Sequence, residues 1–168
     1  MKLGNPAAFL KLIERTVESI AGIILLIATF VTILQVLFRY VLKIPFVWSE
    51  EFTRFLFIWI VWLGAALAIP AQKHMVIEFI RDSLPHPWSK IIKLFTDILA
   101  LLLLVIVVTK GISLVNMMAK EFYVTFPVSV KYAYLASVIG GLLMLIFLLK
   151  DFGQNFGQLF QKRRKLDS

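Results

Sequence analysis

The chain contains no cysteine and only two histidines, His74 and His86. No disulfide framework, thiolate metal site or cysteine nucleophile is therefore available, while the redox compartment stays undetermined. Both histidines fall in one connection between apolar runs, so no pair of facing helices can supply the two imidazoles a membrane haem requires. No phosphate-cradling glycine loop, GxSxG or HExxH arrangement occurs. Catalysis has no visible carrier, and neither a cofactor nor a metal is expected. Charge is scarce as well: Asp, Glu, Lys and Arg make up 17% of the 168 residues, where soluble domains carry roughly a quarter.

What replaces charge is apolar surface. Hydrophobic residues are 60% of the chain and the mean hydropathy is +0.88, an excess that only lipid can solvate. Four long apolar stretches stand out, at about 20–38, 52–69, 91–108 and 128–149. The first measures roughly 28 Å as a helix at ~1.5 Å per residue, close to the hydrocarbon thickness. It is too long for a signal-peptide core, and Arg39-Tyr40 follows it where a cleavage site would need small residues. A permanent anchor is the expectation. Because lipid offers unpaired backbone groups no partner, each stretch is expected to be a helix. The fold class predicted is an all-α integral membrane protein with four transmembrane helices and short amphipathic surface helices.

Around the spans, residues 1–19 read as an amphipathic lead-in, with Phe9, Ile13 and Val17 on one stripe beside Lys11, Glu14, Arg15 and Glu18. Residues 72–88 read as a second surface helix, with Val76, Phe79, Ile80 and Leu84 at helical spacing. Residues 150–168 form a basic tail ending in Lys162, Arg163, Arg164 and Lys165. Twelve Lys and Arg residues flank one side of the spans and six flank the other, so the positive-inside rule predicts both termini in the cytoplasm. The formal charge of +8 sits on loops and tails. Membrane lipids are the expected partners of these cations, and no nucleic acid is expected.

The densest polar feature brackets the first turn, where Arg39 ends one helix and Trp48-Ser49-Glu50-Glu51 opens the next. Glu50 and Arg54 are at i, i+4 spacing for pairing, and acids in a first turn favour the helix dipole. Glu50, Arg54, Phe57, Val61, Gly64 and Ala68 share one stripe of the second helix, which suits close approach by another helix. The first helix offers Ala21, Ala28, Thr32, Gln35 and Arg39 on one side. The fourth offers Ala133, Ser137 and Gly141, with Ala136 and Gly140 beside them. Whether these seams close within the chain or against a partner is open. Asp97 is the one acid well inside an apolar run, with Lys93 one turn back. An ion-handling role is weighed there against local pairing. No broken helix pair of the kind that marks a secondary-transporter substrate site is present.

The segment from Arg39 to Ala68, RYVLKIPFVWSEEFTRFLFIWIVWLGAALA, resembles the signature of the small Q subunit of TRAP (tripartite ATP-independent periplasmic) transporters. Arg39-Tyr40, Trp48-Ser49-Glu50-Glu51 and Gly64-Ala65 are the matching positions, joined by Lys73-His74 and the four-span layout. The resemblance implies a subunit of a bacterial inner-membrane importer of an organic acid, such as a dicarboxylate or sialic acid. It also implies a sodium gradient and two partners, a large elevator-type permease subunit and a periplasmic substrate-binding protein. The small subunit would be scaffold. The partner interface expected on this chain is Arg39, Trp48, Glu50, Glu51, Arg54, Gly64 and Ala68. A stand-alone small carrier or channel, and a membrane anchor for a redox complex, are the alternative classes.

Overall fold

The computed structural model describes the backbone over 6–71 and 86–164, and the side chains over 8–71 and 95–150. Four long helices account for most of it: α1, Pro6–Leu37; α2, Val47–Ala71; α3, His86–Met117; and α4, Lys131–Arg164. All four contain a segment long and apolar enough to cross a membrane. The fold is therefore all-α and membrane-spanning.

The helices outrun the apolar stretches that predict them. Residues from Pro6 onward are continuous with the first span, so the stretch read as an amphipathic lead-in forms the first turns of α1. The candidate span Ala8–Leu42 is 35 residues long, about 50 Å at ~1.5 Å per residue, so it must tilt or project beyond the hydrocarbon. At its far end the helix widens into a π turn, Phe38–Leu42, closed by Lys43 in the left-handed region at φ 53°. The amides of Lys43 and Ile44 both donate to the Phe38 carbonyl. The second helix opens at Val47, a turn before the apolar stretch, and Pro70 lies within it. The third, expected to end at Val108, continues to Met117 and then a short 3-10 turn, Met118–Lys120. The fourth starts at Lys131 and carries the expected tail on as helix to Arg164. The connection expected to be amphipathic, 72–88, lies outside the described residues up to 85, and His74 lies there with it.

Several side-chain hydroxyls within the spans find partners on their own helices, while that of Thr53 is buried without one. Thr29 donates to the Leu25 carbonyl at 2.8 Å, Thr32 to Ala28 at 2.8 Å, and Thr109 to Val105 at 2.8 Å and Ile106 at 3.0 Å. This back-bonding lets a polar residue ride in lipid without ending the helix.

Among the described residues the helices pack in the order α1, α2, α4, α3, each touching only its neighbours in that row. The central α4 is the most buried, and its small residues explain why. Gly140 lies so close to α2 that an added Cβ would stand 2.8 Å from the Trp62 Cβ and 3.0 Å from its carbonyl oxygen. Gly141 meets α3 in the same manner, 2.8 Å from a Val108 methyl. Adjacent glycines thus admit the two neighbours on either side, and Ala133 and Ala136 are buried with them. The α4 seam therefore closes within the chain. Further along, Ala66, Leu104, Met144 and Phe147 form the core cluster, with Phe147 1% exposed. In lipid such a core is held by dispersion and close fit, not by exclusion of water.

Candidate partner-binding site

One end of the bundle collects the turn between α1 and α2 and the loop between α3 and α4. The loop, residues 121–130, is folded on itself. Phe122 and Ser129 form an antiparallel bridge, with Val130 donating to the Glu121 carbonyl at 3.0 Å and Tyr123 to Val128 at 3.1 Å. The buried Ser129 hydroxyl donates to the Glu121 carbonyl at 2.9 Å and lies 3.4 Å from the Lys131 amide, so it ties the loop to the start of α4.

This loop is fastened to α2 by Glu51. Its carboxylate accepts the backbone N–H of Thr125 at 2.8 Å and also a short hydrogen bond from the Thr125 hydroxyl. Two donors from one residue meeting one carboxylate oxygen fix both position and orientation. A train of aromatic rings follows the same path. Phe38 stacks on Phe46 at 4.8 Å, Phe46 meets Trp48 edge-on at 4.7 Å, and Trp48 meets Phe52 at 5.7 Å. Phe52 and Phe55 then contact Phe126, at 6.0 and 6.2 Å, and Phe126 stacks on Tyr123 at 4.7 Å. Edge-to-face and offset pairs of this kind add to simple contact because ring edges and faces carry opposite partial charge. Burial pushes the Tyr123 phenol above its ordinary range, and the Glu51 carboxylate adds to that push while Arg54 opposes it.

The residues singled out from the sequence are divided by this geometry. Arg39, in the π turn, is exposed and holds its guanidinium 5.8 Å from the Tyr40 ring centre. Trp48 is embedded in the aromatic train. Glu50 and Arg54 pair at 3.6 Å with side chains 71% and 68% exposed, where a salt bridge contributes little. Arg39, Trp48, Glu50, Glu51 and Arg54 therefore share one end. Gly64 and Ala68 lie several turns further along α2, Gly64 exposed with nothing within 4 Å of an added Cβ, and Ala68 half-buried. Thr125, Phe126 and Tyr123, which complete the end, were missed from the sequence. The hint was in the aromatic run around Thr125, opposite an acid in the first turn of α2. Asp97 is half-buried on α3, and the side chain of Lys93 lies outside the described residues. Among the described residues no cluster of three or more His, Cys, Asp or Glu could hold a metal ion.

Four apolar helices, a folded turn end and an outward-facing stripe define a multi-pass membrane subunit. The family model for the DctQ component of the tripartite ATP-independent periplasmic transporters matches residues 28–157, and the chain belongs to that family. It is thus a small permease component of a TRAP transporter in the bacterial inner membrane, a transport component and not an enzyme. Among its relatives is the sialic acid TRAP transporter small permease protein SiaQ of Vibrio cholerae, 28% identical over 81% of each chain. The sialic acid TRAP transporter permease protein SiaT of Haemophilus influenzae is 25% identical over 88% of this chain. The match spans only 24% of that longer relative. The isethionate TRAP transporter permease protein DctMQ of Oleidesulfovibrio alaskensis is 29% identical over 79% of this chain and 22% of its own length.

Proposed function

We propose that the chain is the static scaffold subunit of an importer that takes up an organic acid, a carboxylate such as a dicarboxylate or sialic acid, on a sodium gradient. A separate large permease subunit would carry substrate and sodium, and a periplasmic binding protein would deliver the substrate. Two relatives bear the names of small organic acids, sialic acid and isethionate, and two are several times longer than the matched region. The names, one a carboxylate and the other a sulfonate, support an organic-acid cargo, and the lengths support a small part that works beside a larger one.

The observation that carries the scaffold reading is the two-sidedness of α2. Ser49, Leu56, Leu63 and Ala66 are buried within the chain, whereas Glu50, Arg54, Phe57, Val61 and Gly64 are exposed along the opposite stripe. A glycine on an exposed stripe has no packing task inside its own chain, and it costs helix stability relative to alanine. Its use is to let another helix approach. On this reading Arg39, Trp48, Glu50, Arg54, Gly64 and Ala68 form the contact with the large subunit. Glu51 serves it from behind by holding the 121–130 loop.

The test is Gly64→Leu. Gly64 is exposed and no described atom lies within 4 Å of an added Cβ, so expression and thermal stability of the isolated subunit should be unchanged. Co-purification of the large permease should fall about tenfold, as for a loss of roughly 1.4 kcal/mol, with uptake falling alongside. Full recovery of the large subunit with the variant would overturn the reading.

A further inference from the structure

The extension of α3 beyond Val108 carries Lys110 into the span. This residue lies within the candidate span Phe95–Lys120, two helical turns before Met117, or ~10 Å at ~1.5 Å per residue. It is exposed, on the side of α3 opposite Leu104, Val108 and Gly111, which are the buried positions. Its stripe is otherwise apolar and uncovered: Leu99, Leu103, Ile106 and Met117 are about half-exposed or more. No salt bridge joins Lys110 to a described side chain.

A cation within a candidate span either climbs to the headgroups or meets an anion where it stands. Climbing is disfavoured by the direction of the helix. The nearer surface is at the C-terminal end of α3, and the Cα–Cβ bond of every helical residue tilts toward the N-terminus. Lys110 must therefore start its path away from the surface it would reach. A second copy of this chain fits no better. In a two-fold pair within one membrane the two copies share depth, and the described acids lie elsewhere. Glu14, Glu18 and Asp97 belong to one end, and Glu50, Glu51 and Glu121 to the other.

We infer that the outer stripe of α3 is a second docking seam, where Lys110 pairs with an Asp or Glu carboxylate on a transmembrane helix of a different protein. The seam is separate from the α2 stripe, since α3 and α2 lie on opposite sides of α4 in the row. The inference rests on the chain working beside a membrane partner, as proposed above, but not on which face of α2 that partner uses.

The experiment treats native membranes with a lipid-soluble carbodiimide, which joins a contacting ammonium and carboxylate as an amide, and maps the product by mass spectrometry. The expected result is a linked peptide joining Lys110 to an acid inside a transmembrane segment of another chain. Lys110→Arg should keep the complex and lose the link. Lys110→Glu should lower recovery of that chain about tenfold, and changing the linked acid to lysine should restore it. The inference is overturned if no peptide is linked and Lys110→Glu is recovered with its partner as wild type, the behaviour of a lysine held by lipid phosphate. If Gly64→Leu still releases the large permease in that case, the scaffold reading survives while this seam does not. If neither variant alters recovery, both fail.

Discussion

At the residue scale the bundle rests on a few positions with no slack. Gly140 is one, because an added methyl would meet both the Cβ and the carbonyl of Trp62, neither of which can swing aside. Gly140→Ala should cost about 1–3 kcal/mol in unfolding from detergent micelles, while Gly64→Ala should cost nothing measurable. Equal stability of the two variants would contradict the seam. Lys43 is another, as an L-residue held at φ 53° to close a π turn. Lys43→Gly should be no less stable than wild type, whereas Lys43→Val should lose about 1–2 kcal/mol in the same measurement. Glu51 differs from both, since its contribution is to the 121–130 loop. In Glu51→Ala the amide of Thr125 loses its acceptor, and hydrogen exchange at that amide should quicken about tenfold. Glu51→Gln, which keeps an acceptor oxygen, should exchange more slowly than the alanine variant. Unchanged exchange in both would show that the loop is held by its aromatic rings alone.

At the element scale the four spans were legible because lipid leaves a long apolar run no alternative to helix. Their ends were not, and the reasons are specific. Thr109, Lys110 and Gly111 look like a break in α3, yet the Thr109 hydroxyl bonds back to its own helix and Gly111 is buried against Ser137 and Val138 of α4. The polar residues between Lys11 and Glu18 do not interrupt α1, which runs on through them into the first span. The seam of Ala133, Ala136, Ser137, Gly140 and Gly141 could be read from spacing, while its partners could not, since a small residue announces close approach without naming what approaches. The same holds at the turn end: the acid and the aromatics were visible, but their meeting depends on a contact across 74 positions. Because Phe126 touches Tyr123, Phe52 and Phe55, Phe126→Ala should loosen the loop and lower stability by about 3 kcal/mol. Near-ultraviolet circular dichroism should lose intensity with it, and an unchanged spectrum would argue against the aromatic train.

At the scale of the whole molecule, the row α1, α2, α4, α3 gives the subunit wide surfaces and little interior. Among the described residues α2 and α4 each have a neighbour on two sides, and the outer faces of α1 and α3 remain open to lipid or to other chains. The flanking charges predict both termini on the cytoplasmic side, so a C-terminal fluorescent fusion should be bright and an alkaline phosphatase fusion inactive. The central claim is that the outward stripe of α2 meets the large permease. A photoreactive benzoylphenylalanine at Val61, on that stripe, tests it most directly in native membranes, with Leu63, buried inside the chain, as the reference. Val61 should capture the large permease subunit and Leu63 should yield only links within the chain. Capture of lipid alone from position 61, in membranes where the permease is present, would contradict it.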